Sequence, residues 1–418
     1  MTLIAELRMR APAARTGWDA TRTVRLVLSG SVLFLLLIGA NLATPLYAGL
    51  QQRLGYGSLG TAVAFASYVL ALVGVLVSAG HWSDHVGRRA AMVLAVLVGM
   101  AGSAVFAFAG SLLQLCAGRA LQGMAVGLAT GACAAALREL LPHRPEWASR
   151  FTLLASSGGV ALGPLLGGAL ALTSGGPAVP FLLHTAALGV LLVPLVLVRA
   201  RPAPQLPAGA RQGRVLAPRS LRGAVPAPPA RASFWVAAAT GFLSFALFGY
   251  QLALSPGVFA RALGHGSPPL LGALAGLSLA SSAVSQVLAP AGRRRGRTDG
   301  AGGLAVLAAS LAALAWGTAA ENPAVLIVAS AAAGLGQGTA FRAGFDAVAA
   351  SVPATAHART VSLLYVVTYL GSAVPVVGLG AAVGAVGLTA AAVGFLGACA
   401  GAAAALAAAA LVLGARRR

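Results

Sequence analysis

The chain has 418 residues, 58% of them hydrophobic and only 9% charged, with a mean hydropathy of +0.87. A soluble chain of this length needs about 25% charge for its coat, so lipid must be the solvent for most of this surface. The net charge of +21 comes from arginine alone, in clusters between apolar runs rather than on one face, which excludes a nucleic-acid partner.

Residues 1–25 form a basic tail with Arg8, Arg10, Arg15, Arg22 and Arg25. The apolar run that follows, Leu26–Tyr47, is longer than a signal-peptide core and reads as an uncleaved first membrane helix. Runs of spanning length then recur at Leu59–Gly80, Ala90–Gly110, Leu112–Leu137, Phe151–Leu172 and Val179–Val198. After a gap come Phe234–Leu254, Pro268–Leu288, Ala301–Ala320, Ala324–Phe341, Val361–Gly380 and Leu388–Leu413. They are too long for barrel strands and do not alternate, so the expected class is an all-α integral membrane protein of about twelve helices. The gap, residues 199–232, is rich in Pro, Ala and Arg and reads as an extended tether. It divides the chain into a bundle at 26–198 and a second at 233–414, each with six spans, with a short basic tail at 415–418.

Alternate loops carry the arginines: Arg88 and Arg89; Arg144 and Arg150; the linker; Arg293, Arg294, Arg295 and Arg297; Arg342 and Arg359. The intervening loops hold Arg53 and Arg261. The positive-inside rule then expects both termini and the linker in the cytoplasm, and an even span number demands the same. The Ala, Gly and Arg bias fits a GC-rich genome, so the expected place is a bacterial inner membrane. The basic linker would rest on anionic lipid of that bilayer, and the protein is expected as a monomer.

The halves echo each other. Leu121-Gln122-Gly123 in span 4 parallels Leu335-Gly336-Gln337-Gly338 in span 10. Gly163-Pro164-x-x-Gly167 in span 5 parallels Val374-Pro375-x-x-Gly378 in span 11. Gly87-Arg88-Arg89 parallels Gly292-Arg293-Arg294-Arg295. Three matches in one register point to a duplicated, pseudo-symmetric unit, a design of secondary transporters.

Between spans 2 and 3, a turn holds Gly80, Asp84, Gly87, Arg88 and Arg89, with His81 and His85 beside them. Asp84 and Arg88 stand four apart and pair if the turn is helical; Arg138 and Glu139 end span 4 at the same depth. Span 4 contains Arg119, Gln122, Gly123 and Gly127. A charge inside a span costs at least ~2.5–3.5 kcal/mol at mid-helix, so Arg119 either faces a cavity, pairs, or snorkels. Span 5 carries Gly159, Gly163, Pro164, Gly167 and Gly168; the first three of its glycines fall four apart on one face, which allows a close crossing. Cys116, Cys133 and Cys399 sit in apolar runs as small filler, with neither disulfide nor metal spacing. Gly55-Tyr56-Gly57-Ser58-Leu59-Gly60 fits a dinucleotide fingerprint only as a string, since no strand precedes it. No cofactor or metal is expected.

In these motifs the chain resembles the major facilitator superfamily across essentially its whole length, and within it the twelve-span drug:proton antiporters. The family pattern Gly-x-Leu-x-Asp-basic-x-Gly-Arg-basic is met at Gly80, Asp84, Gly87, Arg88 and Arg89, with Trp82 for Leu and His85 for the basic residue. The span 4 pattern is met by Arg119, Gln122, Gly123 and Gly127, and the exporter-associated span 5 pattern by Gly159, Gly163, Pro164, Gly167 and Gly168. The resemblance implies an alternating-access secondary transporter, not an enzyme, that exports small drug-like or amphipathic molecules with proton coupling. Its alternatives are a facilitative uniporter or a sugar or metabolite transporter without coupling; a non-transporting sensor is a further reading. It also implies a latch of the outward-facing state, in which Asp84 meets the N-terminus of span 11 near Thr360 and Arg138 and Glu139 complete the network. By the same analogy Asn41, Arg119, Gln122, Tyr250, Gln251 and Gln337, in spans 1, 4, 7 and 10, face the substrate. Pro45 follows Asn41, and Tyr365 and Tyr369 share one face of span 11. Several relatives place a proton-carrying acid where Asn41 stands, four before a proline; Asn41 cannot titrate. His184, about 8 Å into span 6 by helical rise, is the titratable alternative, open between proton carrier and interface histidine.

Overall fold

The computed structural model describes residues 6–7, 9, 17–173, 176–199, 213, 216–218, 223–228, 230–264, 266–288 and 296–415. Gly292–Arg295, most of the linker, most of the tail before residue 17 and the arginines at 416–418 lie outside the described residues. Among the described residues there are twelve helices long and apolar enough to cross a membrane. No strand occurs among them; the only extended pairing is a single bridge between Trp18 and Val198.

The spans follow the apolar runs because Ala and Leu dominate them, and both are strong helix formers. Span 1 runs Arg22–Asn41, breaks at the turn Thr44–Leu46 around Pro45, and resumes as Tyr47–Leu54. Spans 2 to 6 are Ser58–Ala79, Arg88–Ala107, Leu112–Leu140, Pro145–Ala171 and Val179–Leu197. Spans 7 to 12 are Ala230–Ala253, Pro268–Leu288, Gly296–Ala319, Pro323–Ser351, Ala354–Val386 and Leu388–Ala415. Two of these outrun their apolar stretches. Span 10 continues past Phe341 for almost three turns, aided by the i,i+4 pair Arg342–Asp346 at 3.7 Å. Span 11 begins at Ala354 behind the N-cap Pro353, not near Thr360. Hydropathy marks only the lipid-facing length, while Ala-rich polar turns stay helical beyond it.

Burial sorts the spans. In span 1, 67% of the apolar window is buried inside the protein; in span 12 only 17% is, so span 12 presents itself to lipid.

The chain divides into two compact units. The first comprises Met1–Leu42, Leu70–Gly163 and Leu170–Arg219. In it span 4 packs along span 3 and span 1, and span 6 along span 3. The second comprises Ala43–Val69, Pro164–Ala169 and Ser220–Arg418. In it span 10 packs along spans 8 and 9, span 9 along span 12, and span 7 along span 11. The division falls inside spans 1, 2 and 5. Parts of the first six spans therefore belong, by packing, with the last six.

Candidate functional site

The turn after span 2 forms a short helix, Trp82–Val86, and Gly87 then starts span 3 with φ 95°. A side chain is strained at that angle, which accounts for glycine there. Gly80 is excluded from growth for another reason: a Cβ would meet the Leu76 carbonyl oxygen at 2.6 Å. The helical turn puts Arg88 over Asp84. Arg88 donates to Asp84 Oδ1 at 2.5 Å, to Ser83 Oγ at 2.7 Å and to Glu139 Oε1 at 2.9 Å. One guanidinium thus ties the loop to the end of span 4. Arg138 is exposed and stays outside this triad. The two carboxylates are about half exposed (46% and 50%), so each pair is worth roughly 0–1 kcal/mol.

Arg89 behaves differently. It is buried, donates to the Val198 carbonyl at 2.8 Å and lies 3.4 Å from the Glu6 carboxylate. Burial holds the Glu6 carboxyl above the usual carboxylate range, and the nearby Arg89 charge offsets this only in part. A cavity of about 500 Å³ sits among Glu6, Arg25, Asp84, Arg88, Arg89 and Glu139. Sequence reasoning left Glu6 as a tail residue, since nothing local to it signals Arg89. Trp82, which stands where the family has Leu, donates from its indole to the Leu216 carbonyl at 3.0 Å and so holds part of the linker. In the second unit, the Thr360 hydroxyl is buried and donates to the Ala224 carbonyl at 2.8 Å. With the helix opening at Ala354, the free N–H groups expected near Thr360 lie almost two turns earlier.

Span 4 starts at a Ser111 cap. Arg119 is only 1% exposed and does not snorkel: it donates to the Ala40 carbonyl of span 1 at 2.5 Å and to Gln122 Oε1 at 2.8 Å. The Gln122 amide nitrogen is buried without a hydrogen-bond partner. Asn41 spends its own amide on the Leu37 carbonyl at 2.8 Å. Gly123 is buried, and at Gly127 a Cβ would meet Val75 at 3.0 Å, so spans 2 and 4 cross closely there.

Span 5 divides its motif between the two units. Toward the first, a Cβ at Gly159 would meet the Phe34 carbonyl oxygen at 2.6 Å, and one at Gly163 would meet Asn41 Cβ at 2.6 Å. Toward the second, Gly168 lies against the Pro268 carbonyl, and Gly272 of span 8 against the Pro164 carbonyl; Gly167 is buried beside them. Pro164 is the first residue of the stretch that packs with the second unit. Also within that unit, Gly380 of span 11 lies against Ala62 and Leu59 of span 2.

His184 is buried within the protein; Nε2 lies 2.9 Å from the Leu35 carbonyl and Nδ1 2.8 Å from Ser103 Oγ. A carbonyl only accepts, so Nε2 carries a hydrogen, and the ring bridges spans 1, 3 and 6.

The remaining expected cavity residues lie in the second unit. Gln251 donates to Ser330 Oγ at 3.2 Å, tying span 7 to span 10, and Gln337 accepts from Ser282 Oγ at 2.5 Å, tying span 10 to span 8. Tyr250 is buried with its ring 5.9 Å from that of Phe395 in span 12. Tyr365 and Tyr369 join a larger aromatic group with Phe245, Phe341 and Phe345. The i,i+4 spacing of Phe341 and Phe345 was the available signal for that group; Phe245 carried none.

Similarity to known proteins agrees with this architecture. Two solved structures of a bacterial homologue of the human lysosomal transporter Spinster, inward-facing and either unoccupied or occupied, share the fold at 14% identity. Their TM-scores are 0.69 and 0.72, over 95% of this chain and 96% and 97% of theirs. Proteins named "Putative multidrug resistance protein MdtD" from Escherichia coli (strain K12 / DH10B) and Shigella boydii serotype 18 are 31% identical over 131 residues. That stretch is 31% of this chain and spans only 27% of those relatives. The sequence pattern of the Major Facilitator Superfamily matches residues 30–376, and the chain belongs to that superfamily, with twelve described helices long and apolar enough to cross a membrane.

Proposed function

We propose that this transporter exports small amphipathic molecules, with the arginine-rich loops in the cytoplasm and the loop that holds Arg53 outside. The observation that carries this reading is the exporter-associated motif of span 5. Its glycines permit two close crossings, one against span 1 and one against span 8. With that sidedness, the crossing at Gly168 and the contact of Gly380 with Ala62 close the outer side. Export requires both to part and reform in each cycle. The half-exposed Asp84–Arg88–Glu139 triad has the modest strength expected of a contact network that must also rearrange. The likeness over 131 residues to proteins named for multidrug resistance supports a drug-like cargo.

Proton antiport is part of this proposal, and a specific observation favours its rival, uniport. Asn41 cannot titrate, and both nitrogens of His184 are taken up by Ser103 and Leu35. A proton on His184 would put an N–H against the serine oxygen and force that hydroxyl to turn.

The test is uptake into inverted membrane vesicles across a panel of drugs and sugars, with and without a pH gradient. Export predicts accumulation of amphipathic compounds above empty vesicles. Accumulation abolished by an uncoupler supports antiport; equilibration that ignores the uncoupler replaces antiport with uniport; uptake of sugars alone overturns the amphipathic cargo.

A further inference from the structure

The segment between spans 6 and 7 reads in the sequence as one long tether, residues 199–232, yet two contacts divide it. Near its middle, the Leu216 carbonyl accepts from the Trp82 indole at 3.0 Å. Trp82 belongs to the turn that also holds Asp84 and Arg88, and a leucine at this place would have no N–H to give. Eight residues on, the Ala224 carbonyl accepts from the Thr360 hydroxyl of span 11 at 2.8 Å, and both residues are buried. Gly223 turns the chain into this seat with φ 72°, an angle that suits glycine. Val225 then packs on the core cluster of Phe234, Ala238, Val348 and Leu364, and a turn from Ala227 to Ala230 leads straight into span 7. From Ala224 onward the chain is part of the second unit. The packing boundary between the units falls between residues 219 and 220, inside the interval that the two contacts mark out.

We propose that the linker is a short strap with two anchors, Leu216 on Trp82 and Ala224 on Thr360, and that its length limits how far the turn after span 2 and the first turns of span 11 can part during transport. From Leu216 to Ala224 the chain reaches at most about 26–29 Å when fully extended. Counted instead from Arg199, which is fixed at the end of span 6 through Trp18, it would reach about 80–90 Å and restrain little. The Trp82 hydrogen bond converts the long tether into the short strap. The two anchors are unequal. Ala224 and Thr360 are sealed and Val225 is held in a core, whereas Trp82 is half-buried and grips the linker by its indole N–H. Release of the strap therefore starts at Trp82, and a substitution there lengthens it without touching the linker.

The proposal rests on the export reading for its purpose, since a limit on separation matters only to a chain whose parts move, and the test keeps the two apart. Two deletions each remove four residues, two of them arginines: 219–222, between the anchors, and 211–214, before the first anchor. A plain tether feels them equally. The strap does not: without 219–222 the anchors can part by no more than about 14 Å, whereas without 211–214 the limit is unchanged. In the inverted-vesicle assay with the same drug panel, deletion of 219–222 should abolish uptake and deletion of 211–214 should keep it. Trp82→Leu added to the first deletion should restore uptake to the level of Trp82→Leu alone, because slack returns from residues 199–216. Separation is read directly in nanodiscs from spin labels at Arg138→Cys and Ala350→Cys, exposed near the ends of spans 4 and 10, with Cys116, Cys133 and Cys399 replaced by alanine. The longest label distances should shrink on deletion of 219–222 and grow in Trp82→Leu. Should that deletion not fold, an insertion of four glycine and serine residues after residue 219 should lengthen the longest distances as Trp82→Leu does. Equal effects of the two deletions, no effect of deleting 219–222, or no rescue by Trp82→Leu overturns the strap. Distances that follow strap length in a protein that takes up nothing would keep the strap and remove the export reading. Uptake that ignores strap length would do the reverse.

Discussion

The loop between spans 2 and 3 and the glycine–proline stretch of span 5 carry two of the three family motifs, and they rest on opposite physics. In the loop one arginine serves two half-exposed carboxylates. Such pairs are weak and exchange readily with water. In span 5 the glycines lie against backbone and Cβ atoms of span 1, with no room for even a methyl group at Gly159 or Gly163. Close helix approach of this kind is the main adhesive between helices in lipid, where no hydrophobic driving force operates. The difference teaches which part is switchable. Charges at the loop are able to break and reform at little cost, whereas the face of span 5 that meets span 1 at Gly159 and Gly163 is a fixed fit that tolerates no added atoms.

The largest effect should come from breaking the fit. Gly163→Leu forces a side chain into Asn41, and overpacking of this kind costs typically ~1–3 kcal/mol or more. Thermal unfolding in detergent should fall by several degrees and transport should vanish; a fully active, equally stable variant would show that span 5 does not need the close approach. Next is Asp84→Asn. It removes a weak pair, so expression and unfolding should stay at wild-type levels while transport is lost. Normal transport by that variant would reduce the loop charges to solvation and topology. Arg119→Ala follows. It removes a buried donor shared by the Ala40 carbonyl and Gln122, and uptake should drop about tenfold or more with folding retained. Full uptake would leave Arg119 a packing residue.

The smallest effect concerns the tail. The Glu6 carboxyl is raised by burial, so its neutral form is favoured when docked beside Arg89. Docking is therefore complete below the ordinary carboxylate range and weakens as pH rises through the raised value. Hydrogen exchange of the tail should slow as pH falls once corrected for intrinsic rates, and Glu6→Gln should remove that dependence. An unchanged profile in Glu6→Gln would detach Glu6 from the effect.

Much of this was legible in the sequence. Lipid exposure writes itself into composition, so span number and approximate position follow from apolar length alone. The loop pairing of Asp84 with Arg88 was marked by their spacing, whereas span 1 was read as one run to Tyr47 although Pro45 sits at its break and the helix resumes to Leu54. What sequence could not show depends on distant chain. Arg119 is held by a backbone carbonyl of span 1, which has no side-chain signature. His184 looked shallow by residue count, yet it is buried because spans 1 and 3 close over it. The aromatic group was half legible: Tyr365 and Tyr369 share a face by spacing, but only tertiary packing brings Phe245 against Tyr369. Span 11 hid its start because Pro353, not hydropathy, sets it.

The central claim is that packed contacts within this structure part during each transport cycle. Ala62 of span 2 and Gly380 of span 11 give the most direct test: a Cβ at Gly380 would fall 2.6 Å from Ala62 Cβ, so the helices must part by about 1 Å to reach disulfide spacing, and the single variant Gly380→Cys measures what that shift alone does to uptake. A double variant, Ala62→Cys with Gly380→Cys, is oxidised and assayed for uptake into inverted vesicles, with each single variant as control. The account predicts that the cross-link stops uptake and that reduction restores it. Undiminished uptake by the fully cross-linked protein would contradict it.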